Sequence, residues 1–254
     1  MSIKTAVLNG VYTIEIARPE KKNALTADMY AHMALALVAA TNDPAVRSVL
    51  IVGQPGIFTS GNDLDDFMKR SGSMTESPAF QFMRAMVGCD KPLIAAVTGA
   101  AIGIGTTLLL HCDFVYVSDE ARLAMPFVSL GLVPEFASSV LVPQLMGARK
   151  AAEKLLLGDP FTGEEAVEWG IANAVLPAGE VANHARRVAE RFNALPPSAV
   201  RETKKLTRRF NAQQVLDAIE AEGKVFSDRL QSPEAKEAIS AFFQKRKPDF
   251  SQFS

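Results

Sequence analysis

The chain has 254 residues, 48% hydrophobic and 22% charged, enough to bury a full core as one large domain with a smaller appendage. Its formal net charge of -1 excludes a broad nucleic-acid groove and leaves any anionic ligand to local basic groups such as Lys245, Arg246 and Lys247. The two cysteines, Cys89 and Cys112, lie in apolar surroundings outside any paired motif and read as free thiols in a reducing compartment.

In chain order, residues 4–8 and 11–16 flank Asn9-Gly10, a dipeptide suited to positive φ, and predict a β-hairpin. Arg18-Pro19 ends it. Thr26 caps a helix running to about Ala40, with Met29, Met33 and Leu37 on its core face. Residues 47–52 form a strand, followed by Ile57-Phe58-Thr59-Ser60-Gly61-Asn62-Asp63-Leu64. A short acidic helix carrying Asp65 and Asp66 comes next, then Ser71-Gly72-Ser73, expected to be a loop beside the site. Strands at 93–97 and 114–117 bracket a second glycine-bearing segment, Val97-Thr98-Gly99-Ala100-Ala101-Ile102-Gly103-Ile104-Gly105-Thr106-Thr107. Alternating strands and helices give an α/β class.

The uncharged stretch 92–110 approaches the length that spans a bilayer, but its central glycines and threonines favour a strand, a glycine turn and a buried helix. Residues 131–135 lead into a helix from about Phe136 to Met146; a second helix covers 148–157 and a short strand 171–175. Beyond Glu180 only helices are expected. Residues 1–196 therefore read as an α/β core and 197–254 as a helical C-terminal module. Residues 1–10 lack a signal-like apolar stretch and Ser251-Gln252-Phe253-Ser254 matches no address signal, so a cytoplasmic protein is expected.

The two glycine-bearing segments each follow a buried strand and together offer two backbone N–H groups to one oxygen, the arrangement of an oxyanion hole. Glu135, between Pro134 and Phe136, is placed among apolar neighbours that raise a carboxyl's pKa and favour a general base near neutral pH. On sequence alone the default reading is an ordinary first-turn glutamate that stabilises the helix dipole. Asp63, Asp65 and Asp66 read as a solvated helix start rather than a metal site. His32, His111 and His184 share no ligand spacing. Lys204, Lys205, Arg208 and Arg209 occupy one helical face, read as solvated. Gly103-Ile104-Gly105 lacks the third glycine of a dinucleotide fingerprint, and no serine sits in a nucleophile elbow.

Arg18-Pro19, Asn23-Ala24-Leu25, the Phe58–Leu64 segment, Lys91-Pro92, Val97-Thr98-Gly99, Gly103-Ile104-Gly105, Cys112-Asp113 and Ala241-Phe242-Phe243 with Lys245-Arg246-Lys247-Pro248 together resemble the crotonase family of enoyl-CoA hydratases and isomerases. The resemblance implies a superhelix of ββα units, a C-terminal helical trimerisation module, and a homotrimer or a hexamer built as a dimer of trimers. It implies acyl-CoA substrates, a place in fatty acid metabolism, and no permanently bound cofactor, coenzyme A being part of the substrate. It places the oxyanion-hole amides at Asn62 and Ile104. Substrate contacts fall at Ala24, Asp63, Leu64, Gly103 and Phe127, with Phe242 and Lys245 supplied by a neighbouring subunit.

Where hydratases of the family carry two catalytic glutamates, this chain has Thr107 and Phe127, which cannot exchange a proton usefully. Residues 132–139 instead resemble the segment bearing the single glutamate of Δ3,Δ2-enoyl-CoA isomerases, and so mark Glu135 as the base. The expected reaction is transfer of a double bond from the 3 to the 2 position of an enoyl-CoA. Enoyl-CoA hydration, decarboxylation of a malonyl-type thioester and a catalytically silent acyl-CoA-binding subunit are the alternatives. No metal, nucleic acid or membrane is expected as a partner.

Overall fold

The computed structural model describes residues 2–68, 76–209 and 211–253; the expected loop at 71–73 lies outside the described residues. Asn9 and Gly10 both take positive φ, 49° and 70°, and turn β1 (Ile3–Leu8) back antiparallel onto β2 (Val11–Ile16). From β2 the sheet continues in parallel through β3 (Ser48–Val52), β5 (Leu93–Val97), β7 (Phe114–Ser118) and β10 (Ala174–Leu176). The unbroken apolar run of β5 follows from burial on both faces. Leu93, Ala95 and Val97 enter the main core, while Ile94 and Ala96 meet Val181, Ala185 and Val188 of α8 (Val181–Glu190) on the other side.

β3, β5 and β7 are each followed by a short strand in a second sheet: β4 (Ile57–Thr59), β6 (Ala100–Ile102) and β8 (Arg122–Ala124). β9 (Phe161–Thr162) closes that sheet antiparallel to β8. Stepping between sheets with intervening helices, among them α1 (Ala27–Asn42), α2 (Leu64–Met68), α3 (Pro78–Gly88) and α4 (Ile104–Thr107), produces the expected superhelix of ββα units. The Thr26 side chain accepts from the Met29 amide and caps α1, with Met29, Met33 and Leu37 buried. β6, β8 and β9 escaped the sequence reading because strands of three residues or fewer carry no measurable periodicity.

Two boundaries differ from expectation. The strand expected over 171–175 begins at Ala174, because the Ile171 and Ala172 amides bond back to the Ala166 carbonyl and finish α7 (Gly163–Glu168) first. The helix expected from Phe136 is α5 (Ser138–Met146), since Phe136 and Ala137 adopt left-handed φ of 60° and 58°.

α9 (Pro197–Arg208), α10 (Ala212–Leu230) and α11 (Pro233–Phe243) complete the chain. Val215, Ile219 and Phe226 of α10 join the main hydrophobic cluster. The basic face expected to be solvated is in part a latch. Lys204 is buried, with Nζ 2.7 Å from Asp113 Oδ2, and Arg208 Nη2 lies 2.7 Å from Asp113 Oδ1; Lys205 and Arg209 remain exposed. The Asp113 carboxylate also accepts from the Leu93 amide at the start of β5. Asp113→Ala strands two cations and an amide, and is expected to cost about 3–5 kcal/mol, read as a lowered denaturation midpoint in urea.

No helix among the described residues is long and apolar enough to cross a membrane. The 92–110 stretch divides into β5, β6, α4 and a 3₁₀ turn over Leu108–His111.

Candidate active site

The parallel pairing of β4 with β6 sets the two glycine-bearing segments side by side at the carboxyl ends of adjacent strands. Gly61 has φ 91°, and a Cβ there would stand 2.9 Å from the Ile102 carbonyl oxygen, so the segments approach too closely for a side chain. Gly103, at φ 56° and ψ -119°, turns β6 into α4 and leaves Ile104 as the first helical residue. Among the described residues, neither the Asn62 nor the Ile104 amide donates to a protein acceptor. Their neighbours do: Gly61 N bonds Thr59 Oγ1, Asp63 N the Leu25 carbonyl and Gly103 N the Ala124 carbonyl.

Buried Asn23 braces the first of these turns. Its Nδ2 donates to the Phe58 carbonyl at 3.1 Å, and its own carbonyl accepts from Thr59 Oγ1 at 2.7 Å. Tyr30 Oη donates to Asn62 Oδ1 at 2.7 Å, orienting that side chain. Asp63 is expected among the substrate contacts through its backbone; its carboxylate is occupied by Arg18 Nη1 at 2.6 Å and the Asp66 amide at 3.1 Å. Burial by itself would raise the Asp63 carboxyl, but hydrogen bonds from Arg18 and the Asp66 and Asp65 amides, with the guanidinium charge, hold it below its usual value. Its side chain is thus a brace between the residue 18–25 loop and α2.

Glu135 is only 5% exposed. Thr107 Oγ1 donates to its Oε1 at 2.5 Å, while Oε2 is buried with no hydrogen-bond partner. Burial pushes its pKa up to about 8; the Thr107 hydrogen bond opposes the rise and the nearby Glu222 charge adds to it. A carboxyl so poised is protonated in the resting site at neutral pH, and a strong base once ionised. Glu135 is therefore not a first-turn surface carboxylate. The left-handed Phe136–Ala137 pair, a conformation costing roughly 1–3 kcal/mol per non-glycine residue, folds it inward before α5 begins.

Glu135, Asn62 and Ile104 line one inner chamber with Phe80, Met83, Phe136, Ile219, Gly223 and Phe226. Its volume of about 20 Å³ is room for a single water. An acyl chain thus enters it only if lining side chains turn aside. Asn62, Ile104, Phe67 and Phe226 also border an outer cleft of about 660 Å³. The expected contacts Ala24, Asp63, Leu64, Gly103 and Phe127 all line that cleft. Phe242 also lines this cleft within its own chain. Lys245 is exposed, Arg246 is engaged by Glu237, and among the described residues the lysines at this cleft are Lys21 and Lys22.

His111 is held neutral by burial, its pKa lowered to about 4, with Nε2 2.8 Å from the Phe136 carbonyl and its ring stacked on Phe136 at 3.8 Å. His184 packs edge-on to Tyr116, and His32 is exposed. Among the described residues no three His, Cys, Asp or Glu side chains gather as a metal site. Sequence reasoning missed two neighbours of the Glu135 turn. Thr107 was set aside as unable to exchange a proton, yet its hydroxyl donates to the Glu135 carboxyl. Glu222 was not singled out, but it falls on the buried stripe Val215, Ile219, Glu222, Phe226 of α10. A charge on an apolar helical face was the available signal.

The family model described as enoyl-CoA hydratase/isomerase matches residues 7–253, and the chain belongs to that family, the crotonases. It is 38% identical over 246 residues to enoyl-CoA delta isomerase 2 of Rattus norvegicus, covering 94% of this chain and 62% of that protein. The chain thus spans about three-fifths of that relative's length. A probable enoyl-CoA hydratase of Bacillus subtilis (strain 168) is 30% identical, with 98% of each chain covered. Among solved structures, Pseudomonas aeruginosa OdaA superposes with a TM-score of 0.93 at 52% identity, covering 95% of this chain and 98% of that one. An enoyl-CoA hydratase/isomerase from Pseudoalteromonas atlantica T6c superposes at 0.94 with 39% identity, covering 99% and 100%.

Proposed function

We propose that this protein moves a double bond from the 3 to the 2 position of an enoyl-CoA, with Glu135 as the sole proton carrier. The observation that carries the reading is the unpartnered Oε2 of Glu135, among the described residues the one acidic side chain of the inner chamber that Asn62 and Ile104 also border. Glu135, ionised, takes a proton from C2 onto Oε2. The Asn62 and Ile104 amides stabilise the resulting dienolate oxygen of the thioester, and Oε2 returns the proton to C4 as the C2–C3 double bond forms. Atoms balance without water or a resident cofactor, coenzyme A arriving as part of the substrate. Lys21 and Lys22 at the outer cleft suit its phosphates. The helices from Pro197 onward serve, in this reading, as an oligomerisation module.

Relatives named as isomerases and as hydratases both resemble this chain, so product analysis is the deciding experiment. A 3-enoyl-CoA and a 2-enoyl-CoA are supplied separately and ultraviolet absorbance of the conjugated thioester is followed. Growth of conjugation from the first supports isomerisation. Loss of conjugation from the second, with the first left unchanged, assigns hydration instead. Binding of both without turnover assigns a silent acyl-CoA-binding subunit.

A further inference from the structure

The turn that aims Glu135 is held from a distant part of the chain. Phe136 and Ala137 both lie in the left-handed region, φ 60° and 58°, and local sequence alone does not favour such a pair. Three donors immediately beyond the base converge on one side chain. The Ala137 amide donates to Glu222 Oε2 at 2.6 Å, and the Ser139 amide and hydroxyl to Oε1 at 2.9 and 2.5 Å. Glu222 is itself buried, and a buried carboxylate persists only where donors replace its water. Burial raises the Glu222 carboxyl above its usual value, and the hydrogen bonds from Ser139 and the Ala137 amide oppose that rise by favouring the ionised form.

We propose that Glu222 of α10 is a positioning residue for Glu135, clamping the left-handed turn so that the free carboxyl oxygen stays over the inner chamber. It touches neither the chamber nor, in this scheme, the substrate; its neighbour Gly223 lines the chamber directly. The docking of α10 thereby sets a wall of the chamber and the aim of the base together. The proposal rests on Glu135 being the base.

The same residue acts on Glu135 by charge. Among the described residues, the Glu135 carboxyl accepts from the Thr107 hydroxyl of α4, and the Glu222 carboxyl of α10, held on the Ala137 and Ser139 donors, is near enough for its charge to raise Glu135 further. His111 adjoins the turn through the Phe136 carbonyl and ring and stays neutral, with Arg208 of α9 behind it. No cation pairs with Glu135 or Glu222 among the described residues. Glu222→Gln keeps an acceptor and removes the charge, whereas Glu222→Ala removes both.

Isomerisation of a 3-enoyl-CoA is measured across pH for wild type, Glu222→Gln, Glu222→Ala and Ser139→Ala, each normalised to folded protein by circular dichroism. Infrared titration of the buried carboxyl, identified by its loss in Glu135→Gln, runs alongside. Glu222→Gln is expected to move the Glu135 midpoint down by roughly one pH unit or less, as removal of a nearby like charge requires. Glu222→Ala is expected to lower kcat at least about tenfold with KM changed far less, a pattern of lost positioning rather than lost binding. Ser139→Ala, which removes one bond of three, is expected to lower kcat by a smaller factor.

A folded Glu222→Gln with the wild-type carboxyl midpoint and kcat overturns the proposal, as does a Glu222→Ala whose only change is thermal stability. If Glu222→Ala does not fold, the Gln and Ser139 variants decide the matter. If wild type fails to isomerise, it is the proposed reaction that fails; the infrared midpoint and band position of the Glu135 carboxyl in Ser139→Ala, which loosens the turn without changing charge, still test the clamp.

Discussion

Glu135→Gln is expected to lower kcat for 3-enoyl-CoA isomerisation by about 10²–10⁴-fold, the range supplied by a positioned acid–base group, while the protein stays folded. Gln fills the same space and keeps an acceptor for Thr107, but cannot carry the proton from C2 to C4. In wild type kcat/KM should climb with pH to a plateau, because the base must be ionised and burial sets its pKa at about 8. Below that value the expected fall is about tenfold per pH unit.

The stability of the same pair has the opposite pH dependence. The Glu135 carboxyl is raised in the folded state from 4.5 to about 8, so its stabilising contribution is complete below pH 4.5 and is lost as pH rises through 8. Wild type should therefore lose roughly 3–5 kcal/mol against Glu135→Gln between acid pH and pH 8. Urea denaturation of both proteins at pH 5 and pH 8 measures the difference. Parallel curves at the two pH values would show that Glu135 is not held in the buried protonated form.

Ile104→Pro is the second large effect. Ile104 is the first residue of α4, where proline is tolerated because that N–H has no helical acceptor. The substitution thus removes the amide proposed to hold the thioester oxygen, with little cost to the helix. The expected loss is about 10²–10³-fold in kcat, roughly 3–4 kcal/mol of transition-state stabilisation. Single-turnover kinetics separates this from a loss of binding, and circular dichroism confirms the fold. Full turnover by a folded Ile104→Pro would refute the role given to this amide.

The main sheet was legible because its signals are local: Asn9-Gly10 demands a positive-φ turn, Thr26 supplies a cap, and residues 93–97 form a run apolar on both faces. The glycine turns were legible for the same reason, since Gly61 and Gly103 mark places where backbone must bend near another chain segment. The short second sheet was not, because its strands are stabilised by neighbours distant in sequence rather than by their own pattern. The basic face of α9 was misread for a related reason. Lys204 and Arg208 look solvated until Asp113, far away in the chain, is brought between them.

Residue identity alone thus determined the α/β class and the two glycine turns, which depend on local backbone preference; it left Glu135 between a base and a first-turn carboxylate, and the resemblance to Δ3,Δ2-enoyl-CoA isomerases marked it as the base. Tertiary packing decided everything that depends on distance: which Glu135 oxygen is free, that Thr107 orients the other, and that Glu222 secures the turn. Burial and hydrogen bonding between remote segments set a carboxyl's proton affinity and direction, and neither is encoded in the few residues beside it.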